Sequence, residues 1–228
     1  TPYFCLMFKR VLIANRGEIA CRVMRTCKRM GIETVAIYSE ADVRAPHVAE
    51  ADVAVGIGGF TPRESYLVVE KVLAAAKQTG ADAIHPGYGF LSENAEFARA
   101  VAAAGMTFIG PSPEAIAMLG DKTAARDLAI KANVPISPGS DGAVATFDEA
   151  RAVVERIGFP VIIKAAAGGG GKGMRIVEEA SEIEAAFRAA QSEALASFND
   201  ERVFIERYIV QPRHIEIQIL ADDHGTVL

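Results

Sequence analysis

The feature that most constrains the fold is a regular alternation of short β-branched runs with longer amphipathic stretches, beginning at Arg10. Strand-like runs occupy residues 11–15, 33–39, 51–57, 81–86 and 106–110, and helical spacing of apolar residues occupies 18–30, 65–79 and 94–104. Strand-helix alternation of this kind predicts a parallel sheet with right-handed crossovers. We therefore predict an open, doubly wound α/β domain over residues 8–120.

The pattern changes after Gly120 and predicts a second domain over residues 121–228. Helices are expected at 121–132, 147–157 and 181–197, with a turn-rich connector at 135–142. Strands are expected at 160–167, 174–177, 201–209 and 213–221, the last two from period-two alternation. This is an α+β unit, and we expect it to be incomplete because the sequence stops at the start of a further strand.

Composition narrows the classes of function. With 24 Lys plus Arg against 29 Asp plus Glu, the net charge of −5 excludes a basic nucleic-acid binder as the default. The charge-free stretch 100–113 is too short and too interrupted for a membrane span, and residues 1–10 are interpreted as a leader or start-site artefact. Three cysteines without a C-x-x-C pair support neither a disulfide framework nor a zinc site, which favours a reducing intracellular setting.

The glycine-rich run 168–173 is the strongest local signal for chemistry, because consecutive glycines stabilise neither helix nor strand. A phosphate-binding loop is the main interpretation, and a flexible surface loop is the alternative. Gly173 follows Lys172 where a Walker A loop needs Ser or Thr, and the next residues continue as a strand where a dinucleotide fingerprint needs a helix. The remaining pattern is a flap between two strands. Arg175 stands where the kinase version has valine, and Lys164 precedes the loop.

Seven collinear motifs then carry a resemblance to a known family. They are Val11–Ala20 (VLIANRGEIA), His85–Asn94 (HPGYGFLSEN), FIGP at 108–111, GDK at 120–122, PGSDG at 138–142, the glycine flap and PRHIEIQ at 212–218. In this order they resemble biotin carboxylase, the ATP-grasp component of biotin-dependent carboxylases. The resemblance covers about residues 7–228. It implies a Rossmann-like domain that precedes the first part of an ATP-grasp domain.

The resemblance also implies a reaction. ATP would phosphorylate bicarbonate to carboxyphosphate, and the carboxyl group would pass to biotin on a carrier domain or subunit. A carboxyltransferase subunit is a further expected partner. The protein is also expected to form a homodimer, and Arg25 lies on the helix that matches the family's dimer contact. Cytoplasm, or the mitochondrial matrix in a eukaryote, is the expected location.

The family's nucleotide-binding residues match a defined set of positions in this chain. The ATP-binding residues implied are Lys122, Lys164, Gly168, Gly169, Gly170, Gly171, Gly173, Glu206, Arg207, Tyr208, Ile209 and His214. Read without the family, Lys164 lies within an apolar run, where its ammonium group needs an anionic partner. Glu206 shares a face with Phe204 and Tyr208 by period two, and it is equally consistent with an ordinary hydrogen-bonded residue and with a ligand contact. Read without the family, His214 lies on the solvated face of a sheet, while Ile215, Ile217 and Ile219 are expected to pack in the core. His47 is interpreted as structural, and the HPGYGFLSEN loop as building a cleft between domains.

Several functions remain open at this stage. The family's Mg²⁺ ligands, bicarbonate-binding arginine and general base are expected beyond Leu228, so no catalytic residue or metal ligand is assigned and the 228 residues alone are expected to be inactive. The acyl acceptor is not encoded, although an acyl-CoA carboxylase, such as the acetyl-CoA carboxylase of fatty acid biosynthesis or a propionyl-CoA carboxylase, is favoured over pyruvate carboxylase. A nucleotide-binding module without catalysis is the alternative. Carbamoyl-phosphate synthetase shares the chemistry, but ANRGEIA and HPGYGFLSEN point away from it.

Overall fold

A computed structural model describes residues 8–120, 122–165, 174–198, 200–222 and 224–228, except for the side chains of residues 122, 123 and 198. The chain divides into two compact units, with the division between Leu128 and Ala129. Each unit has its own sheet. The domain limits at residues 120 and 121 stay a prediction.

The first unit contains a five-stranded parallel sheet. Its strands are β1 (Arg10–Ile13), β2 (Glu33–Tyr38), β3 (Val53–Gly56), β4 (Ala83–His85) and β5 (Thr107–Phe108). Their order is β3-β2-β1-β4-β5, and every neighbouring pair is parallel. Strands β2 and β3 therefore lie on one side of β1, and β4 and β5 lie on its other side. This is the doubly wound arrangement predicted from the sequence.

Helices cover both faces of this sheet. The helices of the first half of the chain are α1 (Gly17–Arg29), α2 (Pro46–Glu50), α3 (Val69–Thr79), α4 (Ala95–Ala103), α5 (Pro113–Gly120) and α6 (Lys122–Lys131). Val11 and Ile13 of β1 pack with α1 on one face, while Leu12 packs with α3 and α4 on the other. A strand that is buried on both faces needs continuous apolar residues, which explains the run Val11–Ile13.

The second unit pairs an antiparallel sheet with helices on one face. Its strands are β6 (Val161–Ala165), β7 (Arg175–Val177) and β8 (Val203–Arg207), in the order β7-β6-β8, and its helices are α7 (Phe147–Ile157) and α8 (Ile183–Phe198). Alternate residues Val161, Ile163 and Ile205 form the core with both helices. The residues between them, Ile162, Lys164, Ile176, Phe204 and Glu206, lie on the opposite face and are partly or largely exposed.

The strand predicted at 213–221 is wrong. In the described residues of this segment no strand forms, and only Ala221 makes an isolated bridge, to Val227. Ile215, Ile217 and Ile219, which the alternation placed in a core, are 80%, 81% and 63% exposed. Alternation specifies two faces, but a strand also needs a partner for its backbone hydrogen bonds, and no described strand supplies one here.

No helix within the described ranges combines the length and the apolar character that are needed to cross a membrane.

Candidate functional site

The candidate site is the face of the second sheet that lies opposite its helices, here called the open face. The pairing of β6 with β8 places Lys164 opposite Phe204 and Ile162 opposite Glu206, and the pairing with β7 places Ile162 opposite Ile176. Directly paired residues of antiparallel strands share a face, so these five side chains lie together. The open face is defined by Ile162, Lys164, Ile176, Phe204 and Glu206.

An ion pair stands at the centre of this face. Lys164 Nζ donates to Glu206 Oε2 at 2.7 Å, and the two side chains are 35% and 32% exposed. The pair joins strands that are 42 residues apart in sequence. The sequence argument required an anionic partner for Lys164, and Glu206 is that partner.

The apolar neighbours of the ion pair give the face its chemical character. Ile162 and Phe204 are half-buried, and Ile176 is 48% exposed. An apolar surface that also carries a cation and a carboxylate can contact a ligand that combines an aromatic ring with charged groups. Sequence reasoning placed Phe204 on the face of Glu206 but did not identify Ile162 and Ile176, although period-two spacing from Lys164 indicates Ile162 directly.

The segment that follows Glu206 is anchored through its backbone. Arg207 N–H donates to the Pro138 carbonyl at 2.8 Å, and Tyr208 N–H donates to the Pro160 carbonyl at 2.9 Å. The Arg207 guanidinium donates to the Ile157 carbonyl at the end of α7, where helix carbonyls lack partners within the helix. The side chain of Arg207 thus has a structural contact. Ile209 is 55% exposed.

Of the remaining predicted site residues, His214 is the one whose side chain the structure describes, and it has no hydrogen bond with this ion pair. His214 is 86% exposed in the segment without regular structure, with Nε2 3.2 Å from Glu216 Oε2. Lys122 is the first residue of α6, but its side chain lies outside the described residues. The flap glycines Gly168, Gly169, Gly170, Gly171 and Gly173 also lie outside the described residues. Their roles stay predictions.

A shallow cavity of about 470 Å³ lies elsewhere in the second unit, between residues 140–144 and α7. Its charged groups already have partners within the chain. Arg156 donates to the Gly139 carbonyl and to Asp141, and Glu149 accepts the N–H groups of Ala145 and Thr146. Of the predicted ATP-binding residues that the structure describes, none lines this cavity.

Metal-ligating side chains do not cluster in the part of the chain that the structure describes. No group of three or more His, Cys, Asp or Glu residues there could hold a metal ion. His47, interpreted as structural from the sequence, is fully buried, and its ring nitrogens face the Ile37 carbonyl and the Gly17 N–H.

Comparison with known protein families gives one match for the N-terminal part of the chain and one for the C-terminal part. Residues 7–116 match the sequence model described as biotin carboxylase, N-terminal domain. Residues 121–228 match the model described as carbamoyl-phosphate synthase L chain, ATP binding domain. The chain belongs to the biotin carboxylase family. The first match decides this, because the second describes only an ATP-binding domain.

Relatives support this membership over nearly the whole chain. A biotin carboxylase of Halalkalibacterium halodurans is 55% identical over 222 residues, covering 97% of this chain and 49% of the relative. The propionyl-CoA carboxylase alpha chain of Ruegeria pomeroyi is 54% identical, with 96% and 32% coverage. Pyruvate carboxylase of Schizosaccharomyces pombe is also 54% identical, with 97% and 19% coverage. The chain thus spans at most about half the length of these relatives.

Solved structures show the same similarity in three dimensions. A biotin carboxylase complex with β-γ-ATP from Campylobacter jejuni matches with a TM-score of 0.87 at 48% identity, covering 97% of this chain and 50% of that chain. The biotin carboxylase domain dimer of Hydrogenobacter thermophilus 2-oxoglutarate carboxylase, in complex with MgADP, ADP and bicarbonate, matches with a TM-score of 0.83 at 48% identity, covering 97% and 49%.

Proposed function

We propose that the protein containing this chain is an ATP-dependent ligase that carboxylates biotin on a carrier with bicarbonate, through carboxyphosphate. The observation that carries the proposal is the Lys164–Glu206 ion pair on the open face, within the region that matches the family's ATP-binding domain. A cation fixed on a paired strand can stabilise the negative charge of a polyphosphate.

The proposed nucleotide site divides into a phosphate part and a base part. Lys164, Lys122 and the flap glycines 168–171 and 173 bind phosphate, and residues 206–209 with His214 contact the base and its sugar. The backbone anchors of Arg207 and Tyr208 support the base part, since they hold the segment after Glu206 against Pro138 and Pro160. Mg²⁺ is the expected companion of ATP, and we assign none of its ligands to this chain.

The proposed partners are a biotin carboxyl carrier and a carboxyltransferase, and we propose that the protein forms a homodimer.

For the acyl acceptor we favour an acyl-CoA, either acetyl-CoA or propionyl-CoA, over pyruvate. The propionyl-CoA carboxylase relative supports this choice, and the equal identity of the pyruvate carboxylase relative leaves pyruvate as the alternative. The proposed location is the cytoplasm, or the mitochondrial matrix in a eukaryote. The human propionyl-CoA carboxylase relative is named as mitochondrial, which supports the second location.

The test measures phosphate release by the full-length protein with ATP and bicarbonate, with and without free biotin. We expect biotin to stimulate the release. Lys164→Ala should raise the KM for ATP about 10- to 100-fold, because a charge-assisted hydrogen bond contributes roughly 1.5–3 kcal/mol. Lys131→Ala, an exposed lysine of the same unit, is the matched control and should leave this KM unchanged.

Two results would count against the proposal in different ways. Nucleotide binding that depends on Lys164 without any biotin-stimulated release would favour the non-catalytic binding module. An unchanged KM for ATP in Lys164→Ala would remove the open face from the nucleotide site.

A further inference from the structure

A network of side chains joins four loops at the carboxyl edge of the parallel sheet. Arg16 follows β1, Asp42 follows β2, Tyr66 follows β3 and Phe90 follows β4. Because the carboxyl ends of parallel strands meet at one edge, residues far apart in sequence come together here. We call these four residues the edge network.

Asp42 is the acceptor of the edge network. Its Oδ2 accepts hydrogen bonds from Arg16 Nη1 at 3.0 Å, Ser39 Oγ at 2.9 Å and Tyr66 Oη at 2.7 Å. Burial acts to raise the pKa of Asp42, but the hydrogen bonds from Tyr66, Arg16 and Ser39 outweigh it and hold the pKa below its usual range. Burial, with the hydrogen bond to Asp42, raises the pKa of Tyr66 to about 12. The carboxylate and the phenol therefore keep fixed protonation states at neutral pH.

The aromatic members connect this charge to the loop after β4. The rings of Tyr66 and Phe90 stack with centroids 5.2 Å apart and planes 11° apart. The Arg16 guanidinium carbon lies 5.5 Å from the Tyr66 centroid and 5.6 Å from the Phe90 centroid. A cation at this distance from two rings is attracted to both.

Phe90 needs such support because its backbone is strained. Its φ is +44°, a left-handed conformation that costs a residue with a Cβ on the order of 1 kcal/mol or more. Gly87 and Gly89 in the same loop have φ values of +66° and +64°. The Asn15 amide also holds this loop, donating to the Pro86 and Tyr88 carbonyls at 2.8 Å each.

We propose that Arg16 is a positioning residue, which fixes the shape of loop 85–90 for the bicarbonate- and biotin-dependent part of the proposed reaction. The inference rests on the proposed function. Loop 85–90 follows β4, and β1 and β4 flank the point where the order of the sheet reverses. Ligands of open α/β sheets bind at the carboxyl edge beside such a point, and strained residues concentrate at functional sites.

The tip of loop 85–90 carries an exposed side chain that can contact a substrate. Tyr88 is 62% exposed, and its hydroxyl group donates to the carboxylate of Glu18 in the first turn of α1. The proposed nucleotide lysine, Lys164, lies on the sheet of the other unit. Under this proposal, a defect in loop 85–90 appears in bicarbonate and biotin kinetics and leaves ATP affinity unchanged.

The experiment uses Arg16→Lys in the full-length protein. Lysine keeps a positive charge near Asp42 but lacks the planar group that lies against both rings. Biotin and bicarbonate are titrated separately, in buffers freed of carbon dioxide. We expect kcat/KM to fall about tenfold for biotin, for bicarbonate or for both. The KM for ATP should stay within twofold of that of the unsubstituted protein. Arg99→Lys, an exposed arginine paired with Glu96 and Glu114 on the helix after the loop, is the control and should change neither.

A second variant keeps the test decisive if Arg16→Lys does not fold. Phe90→Leu removes the stacked ring and retains an apolar side chain, and the same kinetic pattern is expected. A structural role alone would lower the melting temperature and the amount of folded enzyme while leaving every KM unchanged, and that outcome would overturn the inference. An equal rise in the KM for ATP would also overturn it. Absence of biotin-stimulated turnover in the unsubstituted protein would remove the proposed function as well, whereas an active protein with an inert Arg16→Lys change would remove this inference alone.

Discussion

The buried imidazole of His47 links the start of α1 to the end of β2. Gly17 N–H donates to Nδ1 at 3.4 Å, so Nε2 carries the proton and donates to the Ile37 carbonyl at 3.2 Å. Burial lowers the pKa of His47, and Arg16 lowers it further, against the opposing effects of the Ile37 carbonyl and Asp42. Protonation would place a second cation beside Arg16 and remove the acceptor of Gly17.

The sign of the pH dependence follows from this lowered pKa. Below the unfolded-state pKa of about 6.5 the unfolded chain binds a proton that folded His47 does not. The free energy of unfolding should therefore fall as pH drops below about 6.5, by at most about 1.4 kcal/mol per pH unit from this residue. Urea unfolding between pH 7.5 and 5 measures the slope. His47→Gln should reduce this slope. Part of the slope that remains comes from His85, whose pKa is lowered by burial and by Arg22. An unchanged slope in His47→Gln would show that His47 does not cause the pH dependence.

Two glycines of loop 85–90 provide a matched steric test. A Cβ on Gly87 would lie 2.7 Å from Asn15 Nδ2, whereas a Cβ on Gly89 would meet nothing within 4 Å, and both residues have positive φ. Gly89→Ala should cost about 1 kcal/mol of unfolding free energy for its backbone alone. Gly87→Ala should cost on the order of 2–3 kcal/mol, because it also displaces a buried, hydrogen-bonded amide. Urea unfolding of both variants checks this, and equal losses would show that Asn15 moves aside freely.

The Lys164–Glu206 pair shows what the sequence can predict at this scale. An ammonium group between apolar residues requires an anionic partner, so the existence of such a partner follows from the sequence. Which carboxylate it is depends on the register of β6 against β8, across 42 residues, and local pattern does not encode that register. Period-two spacing places Ile162 beside Lys164 and Phe204 beside Glu206, but the pairing of the strands is needed to combine them with Ile176 into one surface.

At the scale of elements, α7 begins with a capping box. Thr146 Oγ1 accepts the Glu149 N–H at 3.3 Å, and Glu149 Oε2 accepts the N–H groups of Ala145 at 3.0 Å and Thr146 at 3.2 Å. Thr146→Ala should therefore cost about 1 kcal/mol of unfolding free energy. Ser197→Ala, at an exposed position within α8, is the control and should be close to neutral. Denaturant unfolding compares them, and a neutral Thr146→Ala would show that packing alone holds the start of α7.

The glycine flap 168–173 lies outside the described residues, so its role is tested by kinetics. If Gly170 or Gly171 approaches phosphate or needs positive φ, replacement by Ala should lower kcat as well as raise the KM for ATP in the full-length protein. An idle loop predicts the opposite, a neutral or slightly stabilising change through the unfolded state. Thermal unfolding and ATP kinetics of each variant separate the two.

The elements also show where sequence patterns are sufficient. Strands β2 and β4 and helices α3 and α4 lie inside their predicted ranges, and β1 and α1 each begin one residue earlier than predicted. These predictions succeed because the apolar spacing of each element coincides with its burial against one parallel sheet. The segment 213–221 has an equally clear alternation but no partner strand among the described residues. Periodicity reports local side-chain placement, whereas strand formation is a tertiary event.

At the scale of the whole molecule, the net charge is −5, yet α1 presents a basic surface. Arg22, Arg25, Lys28 and Arg29 are exposed along it, and Arg25 is 67% exposed with a distant contact of 3.8 Å to Glu50. A basic helix face on an acidic protein is electrostatically suited to a second copy of the same chain.

We therefore predict that the full-length protein self-associates through α1. Arg25→Glu should raise the dissociation constant of the dimer about tenfold or more, because it places a negative charge where the partner surface is expected to be acidic. Arg151→Glu is the control, since Arg151 is also 67% exposed but lies on α7 in the other unit. Sedimentation velocity at micromolar concentration, at low and moderate salt, measures both. Because exposed charge pairs are screened by salt, the difference between the variants should narrow as ionic strength rises. A strict monomer, or a dimer equally indifferent to both substitutions, would place the interface elsewhere or remove it.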